Sequence, residues 1–110
     1  MRLHVQTKNR TEDQITISAW AEATFGPVSS NASVAARANE EMAELLRCLT
    51  VNDSHEKAPE EIADVTIVLF RLADRLGVDL LDEVDRKMAT NRARDWRLSG
   101  DGHGYHVRDK

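Results

Sequence analysis

The stretch between Pro59 and Gly77 limits what this chain can fold into more than any other part of it. Proline is at home in the first helical turn, where its missing N–H leaves no bond unmade, and Glu60 and Glu61 suit the positive end of a helix dipole. Residues 65–70, VTIVLF, then place apolar side chains around almost the whole circumference. A helix of that kind must be covered on every side. A 110-residue chain buries only a modest share of its surface, so three further helices can hardly cover it alone. The expectation is a homo-oligomer, a dimer or a tetramer.

The remaining segments also read as helices. Two prolines and five glycines leave most of the chain free of breakers, and only five aromatics argue against a β-rich domain. Thr11 offers a cap to a first helix, with Gln14 three residues on in capping-box spacing. Ile15, Ala19 and Ala23 give that helix an apolar side, and Gly26-Pro27 ends it. Ser29, Ser30, Asn31 and Ser33 offer caps to a long second helix that runs to about Leu49. Residues 50–58 read as a polar loop. The third helix stops at Gly77, and from Asp79 a fourth runs through Leu80, Leu81, Val84 and Met88 to roughly Trp96. Residues 3–6 alternate weakly, too briefly to classify. The glycine-rich end predicts an irregular tail from about residue 98. The fold class is therefore all-α: one domain over 1–110, a four-helix bundle completed by homo-oligomerisation.

Charge and composition narrow the partners. Fifteen Lys and Arg against nineteen Asp and Glu leave a net charge of -4 without a contiguous basic block, which argues against nucleic-acid binding. The longest apolar run is far shorter than the roughly 20 residues of a membrane span. The first fourteen residues carry too many charges for a secretory signal. A single cysteine, Cys48, precludes an intrachain disulfide and fits a cytoplasmic location.

Two acidic patterns carry the chemistry. EEMAE at 40–44 and EEIAD at 60–64 repeat one arrangement twenty residues apart. At about 100° per residue, positions three apart share a face, so Glu41 pairs with Glu44 and Glu61 with Asp64. The first pair continues into Leu45 and Cys48 and back through Ala38 and Val34. The second continues into Val65, Val68 and Leu72. All four acids thus lie on apolar stripes, where unpaired carboxylates lose hydration and repel one another at several kcal/mol each. Arg37 is the one cation read on those stripes, so a divalent ion is the better compensation. All-oxygen ligands suit Mg2+ or Mn2+. Glu40 and Glu60 lie about a quarter turn away and receive outer roles or none.

EEMAELL, then EEIADVTIVLFRLADRLGVDL, then KMATNRARDW resemble the MazG-type all-α nucleoside triphosphate pyrophosphohydrolases, with their E-x-x-E and E-x-x-D signatures. The resemblance runs from about Trp20 to Val107. It implies an oligomer on a four-helix dimer core and Mg2+-dependent cleavage of a nucleotide between its α and β phosphates. By position it makes Glu41, Glu44, Glu61 and Asp64 metal ligands and directs Lys87 and Asn91 at the phosphates.

The residues themselves allow more detail. Glu41 and Glu44 are the candidates for removing a proton from the attacking water. Lys87 and Asn91, four apart on the fourth helix with Arg92 and Arg94 nearby, can hold phosphate oxygens. Trp20 and Phe25 can stack on a nucleobase or pack in the core. His103 and His106 lack a third ligand for a metal, and Cys48 reads as a small core residue. Two other readings stay open: a phosphoribosyl-ATP pyrophosphatase on the same scaffold, and a noncatalytic helical dimer whose acids bind a cation or a basic partner.

Overall fold

The computed structural model describes residues 9–50 and 55–107, so the weak alternation at 3–6 and residues 51–54 of the expected loop lie outside it. The chain is mostly helical. It contains α1 (Gln14–Phe25), α2 (Asn31–Thr50), a 3-10 turn at His55–Lys57, α3 (Ala58–Arg75) and α4 (Leu80–Ala93). Strands β1 (Trp96–Leu98) and β2 (Gly104–His106) follow. The chain divides into two compact units, Met1–Leu80 and Leu81–Lys110.

In the first unit α2 and α3 share the most extensive contact, and α1 packs on α3. The core is built from small side chains: Ala21 of α1, Val34, Ala38, Leu45 and Cys48 of α2, and Ala58 and Ala73 of α3. Small residues let helix axes approach closely, and the expected inner stripe of α2 is buried at Val34, Ala38, Glu41, Leu45 and Cys48, while Glu44, read on the same stripe, is exposed. Ser30 caps α2, its hydroxyl oxygen accepting the Ser33 N–H at 3.1 Å. At the far end of α3 the Gly77 N–H donates to the Asp74 carbonyl and the Val78 N–H to that of Ala73. Gly77 lies at φ +74°, the left-handed conformation that lets the chain turn away from a helix.

The first helix departs from the expectation twice. Its cap is Asp13, whose carboxylate accepts the Thr16 N–H while the Thr16 hydroxyl accepts the Asp13 N–H, both at 2.9 Å. Thr11 and Gln14 do not form the box. The Gln14 amide instead donates to the Val78 carbonyl at 2.7 Å and accepts the Leu80 N–H at 2.8 Å. The face turned inward is also different. Ser18 and Ala21 are buried, whereas Ile15, Ala19 and Ala23 are exposed. Polar bonds to α3 fix this orientation: the Ser18 hydroxyl donates to Asp74 at 2.7 Å, and Glu22 pairs with Arg71 at 3.2 Å.

In the second unit α4 ends at Ala93 rather than near Trp96. The Trp96 indole N–H donates to the Asn91 carbonyl at 2.8 Å and so takes up a carbonyl of the last turn. The tail beyond is not irregular throughout. β1 and β2 pair antiparallel, with Trp96 opposite His106, Arg97 opposite Tyr105 and Leu98 opposite Gly104. Bonds from the Ser99 N–H to the His103 carbonyl and from the Val107 N–H to the Asp95 carbonyl extend the ladder. Three-residue strands around a glycine-rich loop carry too little alternation to be read from sequence.

Candidate metal centre and adjoining cavity

Glu41, Glu61 and Asp64 converge: one carboxylate oxygen from each lies within 4.8 Å of the others. Helical spacing explains the convergence, since Glu61 and Asp64 share a face of α3 and Glu41 sits on the face of α2 that packs against it. Glu41 is buried, Glu61 half-buried and Asp64 exposed. Glu44 is exposed and is not one of the three that converge, yet its charge acts on Glu61.

The electrostatics are those of a site short of positive charge. Loss of hydration raises the Glu61 carboxyl above its ordinary value, and repulsion from Glu44, Asp64, Glu41 and Glu60 adds to the rise. The Glu61 Oε2 atom is buried without a hydrogen-bond partner. Arg37 supplies part of the compensation. Its guanidinium donates to Glu40 at 2.7 Å and lies 2.6 Å from Glu41 Oε1. Glu40 and then Glu41 favour its charged form. Three hard oxygen donors and an orphaned buried carboxylate oxygen fit a divalent cation of the Mg2+ or Mn2+ type, which takes oxygen ligands and offsets this repulsion.

A cavity of about 560 Å³ adjoins the acids, with Glu41 and Asp64 in its wall. From α1 and the connection after it come Trp20, Ala21, Phe25 and Val28. From α2 come Ser33, Val34 and Arg37, and from α3 Ile67, Val68 and Arg71. Trp20 and Phe25 meet edge to face, 5.3 Å between ring centroids and 83° between planes. Both rings are more than half exposed, so neither is a core residue of this unit. Such a cavity, mostly apolar with a few convergent polar groups, is of the kind that takes a small organic ligand.

Of the residues singled out in the sequence, Glu41, Glu61, Asp64 and Trp20 therefore share one site region. Lys87, Asn91 and Arg92 stand on α4 in the second unit. Lys87 and Arg92 are exposed, while Asn91 is half-buried with its side-chain oxygen lacking a partner. Cys48 is buried, as its stripe implied. The residue that sequence reasoning passed over is Arg71, buried in the cavity wall. It lies seven residues beyond Asp64, two helical turns along the same face, but its partners Glu22 and Gly26 are 49 and 45 positions away and leave no local mark in the sequence.

Carboxylates from two packed helices, opening on a cavity with an aromatic wall, define a helical protein fitted to hold a divalent cation beside an organic ligand. The MazG-like family model matches residues 38–102, which include all four acids as well as Lys87, Asn91 and Arg92. A dATP/dGTP diphosphohydrolase of Cyanophage S-2L is 34% identical over 96 residues, covering 87% of this chain and 86% of that protein. A dATP/dGTP diphosphohydrolase of Salmonella phage PMBT28 is 34% identical over 93 residues, which cover 84% of this chain but 30% of that protein. Among solved structures, the Cyanophage S-2L MazG-like pyrophosphohydrolase, bound to dGDP and three catalytic Mn2+ ions per active site, matches with a TM-score of 0.69 and 34% identity. That match covers 86% of this chain and 93% of the other. The chain belongs to the MazG-like family.

Proposed function

We infer that this protein is a divalent-metal-dependent nucleotide pyrophosphohydrolase that converts a (deoxy)nucleoside triphosphate to the monophosphate and pyrophosphate. The observation that carries this reading is the convergence of Glu41, Glu61 and Asp64, with an unsatisfied buried carboxylate oxygen, beside an aromatic-walled cavity. Two of its relatives are named for dATP and dGTP, so purine deoxynucleoside triphosphates head the substrates to test.

Glu41, Glu44, Glu61 and Asp64 hold the metal, Mg2+ or Mn2+. When bound, the cation polarises phosphoryl oxygens and eases deprotonation of water. The chain's own groups do the rest. Glu41 or Glu44 takes the proton of the attacking water. The oxygen adds to the α-phosphorus as the bond to the bridging oxygen of the β-phosphate breaks, and pyrophosphate leaves. Lys87, Asn91 and Arg92 bind phosphate oxygens, and Trp20 provides a stacking surface for the base.

The working protein is one MazG-like domain over 1–110 acting in the cytoplasm as a homo-oligomer. Exposed apolar stripes at Met42, Leu46 and Leu49 on α2, and at Ile62 and Leu69 on α3, support the assembly. Among the described residues no helix is long and apolar enough to cross a membrane. The test is a screen of nucleoside triphosphates and phosphoribosyl-ATP for pyrophosphate release with and without Mg2+ or Mn2+. Metal-dependent release from a nucleoside triphosphate is expected. Tight metal binding without turnover of any nucleotide overturns the reading.

A further inference from the structure

The connection between α1 and α2 forms one side of the cavity, and two arginines of α3 hold it at both ends. Arg71, only 8% exposed, donates through Nη2 to the carbonyl of Gly26 at 2.9 Å, where α1 ends. The same guanidinium donates through Nη2 and Nε to Glu22 Oε1 at 3.2 and 3.4 Å. One turn further along α3, Arg75 donates through Nε to Asn31 Oδ1 at 2.8 Å, where α2 begins, and its Nη1 lies 3.8 Å from Glu22. Between these anchors stands Val28, with Phe25 just before and Ser33 just after, all in the cavity wall.

Arginine suits this task. Its planar fork serves a carboxylate and a backbone carbonyl at once, which a lysine ammonium on a flexible stem does with less fixed geometry. Burying a charge is costly unless it is paired and hydrogen-bonded. Both requirements are met by α1 and its end, so the arrangement binds α1 to α3 in one position.

We propose that Arg71, with Arg75, is a positioning clamp that sets the aromatic side of the cavity and so governs recognition of the nucleoside part of the substrate, leaving the phosphate end to the cation that the acids would hold and to Lys87, Asn91 and Arg92. This rests on the reading of the cavity as the nucleotide site. Arg71 acts through the placement of Trp20, Phe25 and Val28, and its effect belongs in substrate affinity rather than in the chemical step.

The experiment compares wild type with R71M, R71K and E22Q. For a nucleoside triphosphate that the wild type hydrolyses, R71M should raise KM about tenfold with kcat little changed, and R71K should fall between the two. Mg2+-dependent binding of inorganic pyrophosphate, which has no nucleoside, should be unchanged by calorimetry. A fall in kcat without a rise in KM, or equal weakening of pyrophosphate, overturns the clamp. Should R71M not fold, E22Q, which keeps the shape of the pair but removes its charge, must show the same split at smaller size. Its absence overturns the proposal. A wild type that hydrolyses no nucleotide overturns the underlying reading instead. The clamp is then judged by hydrogen exchange at residues 26–33, which must quicken in R71K or E22Q.

Discussion

At the scale of single residues, Glu61 carries the sharpest consequence. Its proton is held more tightly in the folded chain than in the unfolded one, because burial and four neighbouring acids disfavour the carboxylate. By linkage, its contribution to the stability of the metal-free protein declines as pH rises from the ordinary carboxylate value through the raised folded value. A cation needs the carboxylate and competes with the proton, so metal affinity moves the other way and falls as pH is lowered through that window. Thermal melts with and without Mn2+ should therefore show stabilisation at neutral pH that shrinks on acidification. Glu61→Gln should melt higher than wild type without metal, lose most of the Mn2+-induced shift and lose turnover by roughly 10²–10³-fold. A metal-induced shift retained in that variant removes Glu61 from the ligand set. The proximity of Glu41, Glu61 and Asp64 was legible because carboxylates at helical spacing on apolar stripes are costly without a cation, whereas Glu44, read on the same stripe, is exposed and stands outside the converging three. Arg71 was not legible, because a polar residue at the edge of an apolar stripe reads as outward-facing until its partners, Glu22 and Gly26, are known.

At the scale of elements, legibility followed the strength of local signals. Pro59 and Gly77 bracket α3 closely, and the serines before α2 include its cap. The inner face of α1 was hidden, because its apolar residues are spread around the helix and its orientation comes from Ser18 and Glu22 bonding to residues 56 and 49 positions away. The hairpin was hidden for another reason: its register depends on a close backbone approach at Gly104. A Cβ there would stand 2.8 Å from the Arg97 carbonyl oxygen, a backbone atom that a side chain cannot displace. Gly104→Ala should therefore open the β1–β2 pairing while leaving the helices intact. Faster amide exchange at Ser99 and Val107, with unchanged far-ultraviolet helical signal, is the expected result. Gly77→Ala tests the opposite case. Open space surrounds the new methyl, but φ of +74° penalises any Cβ by about 1 kcal/mol. Urea unfolding should show that loss with metal affinity unaltered.

At the scale of the whole molecule, what matters is how little of the apolar content the chain buries by itself. Among the described residues no large side chain is fully buried, and the core rests on alanines, a valine, a leucine and a cysteine. Meanwhile Ile62 is 53% exposed and Leu46 60%. Along α2, Met42, Leu46 and Leu49 recur at four and three residues, which makes them one stripe. Ile62 and Leu69 are two turns apart on one stripe of α3. Covering the part of each such side chain still open to solvent contributes about 1 kcal/mol, so the stripes offset the cost of association only when many of these residues are covered together on both copies. The nearly all-round apolar α3 read from the sequence thus remains in want of cover in the folded chain. Light scattering coupled to size exclusion should give a mass that is a multiple of 12.4 kDa. Leu46→Lys and Leu69→Lys, which add charge at positions already open to solvent, should shift the mass toward the monomer while the isolated fold persists. A wild-type monomer at micromolar concentration would mean that these stripes serve something other than self-association.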